Sequence, residues 1–245
     1  MKRRFITVSP DALCRLDEAI IRAVESGAKQ GAVLWSCFLF IFIGSACYGA
    51  AFGCWRSGTQ AVYSAIKFPV LIVAITLVTA VINTMLALVQ GCRLSLQKTI
   101  TCMSVAFATT SLLLGALSPV AAYLSLQCPA SGRGTRAMPT YHALLLIHTA
   151  IIGMCGIVGN IRLYHLLCRV APSRQVAERV LATWIIICAF IGCELSWISS
   201  PFLARPDLEI PFFNPNAFKS NFFEYSWNAA TNLLTPNTEN PKQRK

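Results

Sequence analysis

The sequence predicts an all-α fold: a polytopic transmembrane helix bundle of about five spans, with an amphipathic N-terminal helix and an irregular, aromatic-rich C-terminal tail. Three observations predict it. Only 13% of the 245 residues are charged and 55% are hydrophobic, with a mean hydropathy of +0.57, whereas soluble domains carry about 25% charged residues. Five stretches, residues 31–54, 69–91, 99–126, 141–161 and 180–200, match the about 20 apolar residues that a hydrocarbon core of ~30 Å requires. The excess of basic residues, a net charge of +11, falls in short connectors beside those stretches, where lipid headgroups are anchored. The same excess in a soluble chain would point to nucleic acid. Here the aromatics interleave with apolar runs rather than with Lys and Arg, so no nucleic-acid partner is expected.

Residues 1–30 form the first unit. Ser9, Pro10 and Asp11 suit the cap, first position and first turn of a helix. Leu13, Leu16, Ile20 and Val24 share one face, Glu18 to Arg22 is a favourable i,i+4 pair, and Gly27 is a stop. This helix is expected to lie along the cytoplasmic interface or to dock on a partner. The stretch is charged throughout and lacks an apolar core, so no cleavable signal peptide is expected.

The membrane domain, residues 31–200, follows. In the first span Ser45, Gly49 and Gly53 recur every four residues, which would let another helix approach closely. Residues 58–68 are expected to be a short connector skimming the surface, with Tyr63 and Lys67 as headgroup-level anchors. The second span places Thr76, Thr79 and Asn83 on one face, for helix–helix hydrogen bonding or a solute pathway. Pro119, after Leu117 and Ser118, should kink the third span and free a carbonyl that packing or a nearby hydroxyl must satisfy. In the fourth span Gly153, Gly156 and Gly159 offer a close-packing surface, and His148 lies about two turns inside. Packing and proton or metal handling are both chemically open to that histidine. Residues 162–179 form a basic connector, and the fifth span, 180–200, carries Glu194 near its end, the one acid inside any span. A buried acid is costly, so it should face a hydrogen-bond partner on another span (Asn, Thr or His) or handle protons or cations.

The tail, residues 201–245, contains seven aromatics between Phe212 and Trp227. Residues 201–228 should fold back on the bundle or membrane surface, and 233–245 should be disordered. Lys and Arg number twelve in segments 1–30, 92–99 and 162–179, against six in 55–68, 127–140 and the part of the tail within reach of the last span, Arg205 and Lys219. That asymmetry predicts a cytoplasmic amino terminus and a periplasmic carboxyl terminus.

No nucleophile elbow, zincin, phosphate-binding loop or dinucleotide motif occurs, and no acid lies between Glu25 and Glu178. No catalytic set, cofactor or metal site is expected. The eleven cysteines include no C-x-x-C pair and should act as small hydrophobes.

Two segments carry a resemblance. Tyr63-Ser64-Ala65-Ile66-Lys67-Phe68-Pro69 enters the second span, and Phe190-Ile191-Gly192-Cys193-Glu194-Leu195-Ser196-Trp197 leads to Pro201-Phe202 and Pro211-Phe212-Phe213. With the Leu117-Ser118-Pro119 kink, they resemble a group of uncharacterised bacterial polytopic membrane proteins, loosely similar to five-span Yip1-type proteins, across residues 30–227. The resemblance implies a bundle in the bacterial inner membrane and no activity. It also implies glutamine at position 194 and arginine at 200, where this chain has Glu194 and Ser200. The functional expectation is a scaffold or accessory subunit whose partners are lipid, other membrane proteins or a second copy. The alternative is a small transporter or ion-conducting component using Glu194 and the Thr76/Thr79/Asn83 face.

Overall fold

The computed structural model describes residues 8–27, 29–127, 137–202, 212 and 221–224, with only the backbone described over 137–142. The expected disorder of 233–245 lies outside these residues. The described chain is all-α. Its elements are α1 (Pro10–Arg15), α2 (Glu18–Ser26), α3 (Gln30–Gly53), α4 (Gly58–Val89), α5 (Leu96–Gln127), α6 (Ala137–Val170) and α7 (Arg174–Ser199). The last five are long and apolar enough to cross a membrane by length and composition, giving the bundle of spans that the hydropathy pattern predicts.

The amphipathic segment is two helices rather than one. Ser9 caps α1 by accepting from Ala12 N at 3.1 Å, but Leu16 takes a left-handed conformation (φ 57°) and ends it. That turn puts Leu16 in the core beside Leu13, Ile20 and Val24. Gly27, at φ 75°, stops α2 as expected. The apolar face docks on the protein's own bundle, against Leu94, Leu163, Leu166 and Leu167. The expected Glu18–Arg22 pair does not form: Arg22 Nε donates to the Glu18 carbonyl at 3.2 Å. The carboxylates of Glu18 and Glu25 turn to Arg169 instead, at 3.8 and 3.2 Å.

The long helices exceed their apolar cores, which corrects several expected boundaries. Residues 58–68 are no surface connector. Ser57 caps α4 by accepting from Gln60 N at 3.2 Å, and the helix runs on through Pro69. Gln60, Ser64 and Lys67 are buried on this first part of α4, so Lys67 is not a headgroup anchor. α6 continues past residue 161 because Leu163, Leu166 and Leu167 find a buried surface on α2, which places Arg162 and Arg169 on a helix. α7 begins at Arg174 rather than 180, with Ser173 accepting from Val176 N at 3.3 Å. α5 extends to Leu96–Gln127 around the expected 99–126.

Close backbone approach holds the centre. A Cβ at Gly49 would lie 2.5 Å from Ser64 O, and one at Gly53 2.5 Å from Gln60 O, so both expected packing glycines seat α4 on α3. Gly44 and Gly115 do the same for α3 and α5, where a Cβ on Gly115 would lie 2.9 Å from Gly44 Cα. Gly153 and Gly156 do not: nothing stands within 4 Å of either added Cβ. Of the three glycines in that helix, Gly159 makes the inward contact, against Ala106 and Thr110 of α5. Buried cysteines (Cys37, Cys92, Cys102, Cys155) fill the core as small hydrophobes.

Candidate functional site

The polar candidate residues inside the bundle lie in two places. The first is the face of α4. Thr76 Oγ1 donates to Ile72 O at 2.8 Å and Thr79 Oγ1 to Ile75 O at 2.7 Å, so both hydroxyls return to their own helix. α7 closes the face in an antiparallel register that pairs Ile75 with Gly192, Thr79 with Cys188 and Asn83 with Trp184. Cys188 Sγ donates to Thr79 Oγ1 at 3.6 Å, and Trp184 Nε1 donates to Asn83 O at 2.9 Å. Asn83 Nδ2 points at two sulfurs, Met103 Sδ at 3.6 Å and Cys188 Sγ at 3.7 Å. Its Oδ1 is buried with no hydrogen-bond partner.

The second group lies at the end of the bundle remote from α1 and α2. His148 is fully buried. Its Nδ1 is 2.9 Å from Tyr48 Oη on α3, and its Nε2 is 3.4 Å from Ser125 Oγ on α5. Both ring nitrogens are therefore occupied, and the chain Tyr48–His148–Ser125 ties three helices together. Phe52 meets the imidazole edge-on at 4.5 Å between centroids, and Phe68 lies 5.8 Å from Phe52. A histidine with both nitrogens engaged has no lone pair to offer a metal. No group of three or more His, Cys, Asp or Glu that could hold one occurs among the described residues. Ser125 and His148 resemble a nucleophile and its base in spacing, but both are sealed from solvent, and the contact serves packing.

The aromatic network continues to the tail. Phe68 meets Phe202 at 5.0 Å. Around that ring, Lys67 Nζ donates to Pro201 O at 3.1 Å, Ser64 Oγ to Phe202 O at 2.7 Å, and Gln60 Nε2 to both carbonyls at 3.0 and 2.7 Å. The Lys67 ammonium also faces the rings of Phe202 and Phe212, 5.8 and 5.0 Å from their centroids. Glu194 completes the clamp. Its Oε2 accepts from the backbone N of Phe222 at 3.3 Å, while Phe190 stacks on Phe223 at 4.7 Å. The partner expected on another span is thus a main-chain donor in the tail, and the described tail residues fold back on the bundle.

The candidate residues therefore separate by role. Thr76, Thr79 and Asn83 seat α7, His148 joins α3, α5 and α6, and Glu194 holds the tail. Pro119 lies exposed on α5, away from both groups. Gln60, Ser64 and Lys67 were missed as a set, although their i, i+4, i+7 spacing put them on one helical face. No family model, curated protein or solved structure matches this chain.

Proposed function

We propose that the chain is a scaffold or accessory subunit of a membrane complex, a multi-pass protein of the bacterial inner membrane with its amino terminus cytoplasmic and its carboxyl terminus periplasmic. One observation carries the reading: Glu194, Thr76, Thr79 and His148 are each bonded within the chain, while small and apolar faces are left open. Glu194 bonds the tail, Thr76 and Thr79 bond their own helix, and His148 is filled at both nitrogens. By contrast α6 carries Gly153 and Gly156 with open space at both positions, beside Met154 and Ile157 at 58% and 63% exposure. Small residues between apolar ones suit the approach of a helix from another chain. Crosslinking after mild detergent extraction tests this, with a partner or second copy expected at stoichiometric yield. A chain recovered only as an uncrosslinked monomer counts against it.

The alternative, a small conducting component, is favoured by Asn83 Oδ1, a buried acceptor without a donor. Proteoliposome flux separates the two readings. Flux by the intact chain that Glu194→Gln or Asn83→Leu abolishes, with folding intact, supports conduction. Absence of flux in the intact chain supports the scaffold.

A further inference from the structure

A cavity of about 330 Å³ opens between α2 and the first turn of α3, lined by Val8, Ala19, Arg22, Ala23, Ser26, Lys29, Ala32 and Val33. Its volume is at the lower bound of small-molecule sites, about 300–1,000 Å³. No acid lines it. The acids of α2 are committed elsewhere, Glu18 and Glu25 both to Arg169. Among the described residues neither Arg22 nor Lys29 has an ion-pair partner, and the Arg22 side chain donates to the Glu18 carbonyl. Two cations without counter-charges among the described residues therefore share one concave surface whose other described walls are Val, Ala and Ser.

The start of α3 adds to this. Lys29 at its N-cap gives no side-chain cap, so the positive end of a 24-residue helix lies beside the two cations. Gln30, 3% exposed in the same turn, has its Nε2 buried without a partner. Trp35, 72% exposed on α3, suits the headgroup level of a bilayer. An occupant should thus be anionic at one end and apolar at the other, and should sit at the depth of lipid headgroups.

We infer that this cavity binds the phosphate group of an anionic membrane phospholipid, with Arg22 and Lys29 on the phosphate and Val8, Ala23 and Val33 against the glycerol and first acyl carbons. The inference rests on Gln30–Gly53 being a membrane span, and carbonate extraction tests that premise separately. The site itself is tested on the full chain in nanodiscs of phosphatidylcholine with a minor fraction of phosphatidylglycerol, the retained lipid being counted by native mass spectrometry. The intact chain should retain phosphatidylglycerol selectively, and Arg22→Gln and Lys29→Gln should each lower that preference about fivefold. Ala32→Leu, which fills the cavity with both charges in place, should also remove it, and it serves if the charge variants fail to fold. Equal retention of the two lipids by the intact chain overturns the inference, as does an unchanged preference in the Arg22→Gln/Lys29→Gln double variant. Displacement of the lipid by inorganic phosphate would overturn the lipid as the source of the anion.

Discussion

The imidazole Nδ1 of His148 lies 2.9 Å from the hydroxyl of Tyr48, a hundred residues earlier in the chain. Both groups are fully buried, at 0% exposure each, so neither can exchange its partner for water. The bond fixes α6 against α3 at the level where Phe52 and Phe68 also meet. Tyr48→Phe keeps the ring and removes only the oxygen. It should cost about 1 kcal/mol, within the range for hydrogen bonds between membrane helices. Equilibrium unfolding in mixed micelles measures this. In a His148→Phe background the same change should cost nothing, and an equal cost in both backgrounds would refute the pairing.

Pro119 deprives α5 of one main-chain donor, and the carbonyl left over is that of Gly115, four residues back. Ser118 Oγ donates to that carbonyl at 2.7 Å. The serine therefore substitutes for the missing N–H, which lets a 32-residue helix continue through a proline. Ser118→Ala should cost about 1 kcal/mol in the native chain. With Pro119→Ala in place the helix recovers its own donor, and Ser118→Ala should then be close to neutral. A similar cost in both backgrounds would show that the hydroxyl has no such role.

The apolar helices and the hydroxyl that serves the freed carbonyl were legible because both are local: apolar runs and Ser118-Pro119 carry their meaning within a few residues. Gly49 and Gly53 were legible for the same reason, since four-residue spacing selects one helical face. Helix ends were less so. The extension of α6 to Val170 depends on Leu163, Leu166 and Leu167 meeting α2, which lies about 140 residues away in the chain. The partner of Glu194 was not legible either. The acid bonds a main-chain N–H, and a backbone donor leaves no residue-type signature. The glycine face of α6 shows the converse limit: spacing reveals a smooth surface but not whether the chain's own helices cover it.

The tail clamp predicts a graded response. Lys67→Met keeps the aliphatic stem but removes the donor to Pro201 O and the charge facing Phe202 and Phe212. Glu194→Ala removes the acceptor for Phe222 N, whereas Glu194→Gln retains an oxygen there. Hydrogen exchange at Phe222 should rise in Glu194→Ala, by about tenfold if the bond contributes ~1.4 kcal/mol, and much less in Glu194→Gln. Lys67→Met should loosen the segment at Pro201 and Phe202 while leaving Phe222 protected. Equal deprotection by Gln and Ala at position 194 would mean that the charge, not the hydrogen bond, holds the tail.

Gly49 and Gly153 lie in comparable apolar surroundings in sequence and should respond oppositely to substitution. At Gly49 an added methyl would lie 2.5 Å from Ser64 O and 2.8 Å from Ser64 C, both backbone atoms that cannot swing aside. Gly49→Ala should therefore separate α3 from α4 and cost about 1–3 kcal/mol, as overpacking does. At Gly153 nothing lies within 4 Å, so Gly153→Leu should leave the unfolding midpoint of the monomer unchanged. If a helix of another chain covers that face, the same leucine would prevent its approach and weaken assembly. Unfolding in micelles and crosslinking in membranes then give a double readout: Gly49→Ala shifts the first, and Gly153→Leu and Gly156→Leu shift the second. A Gly153→Leu chain that both folds and crosslinks as the parent does would remove this face from the interface.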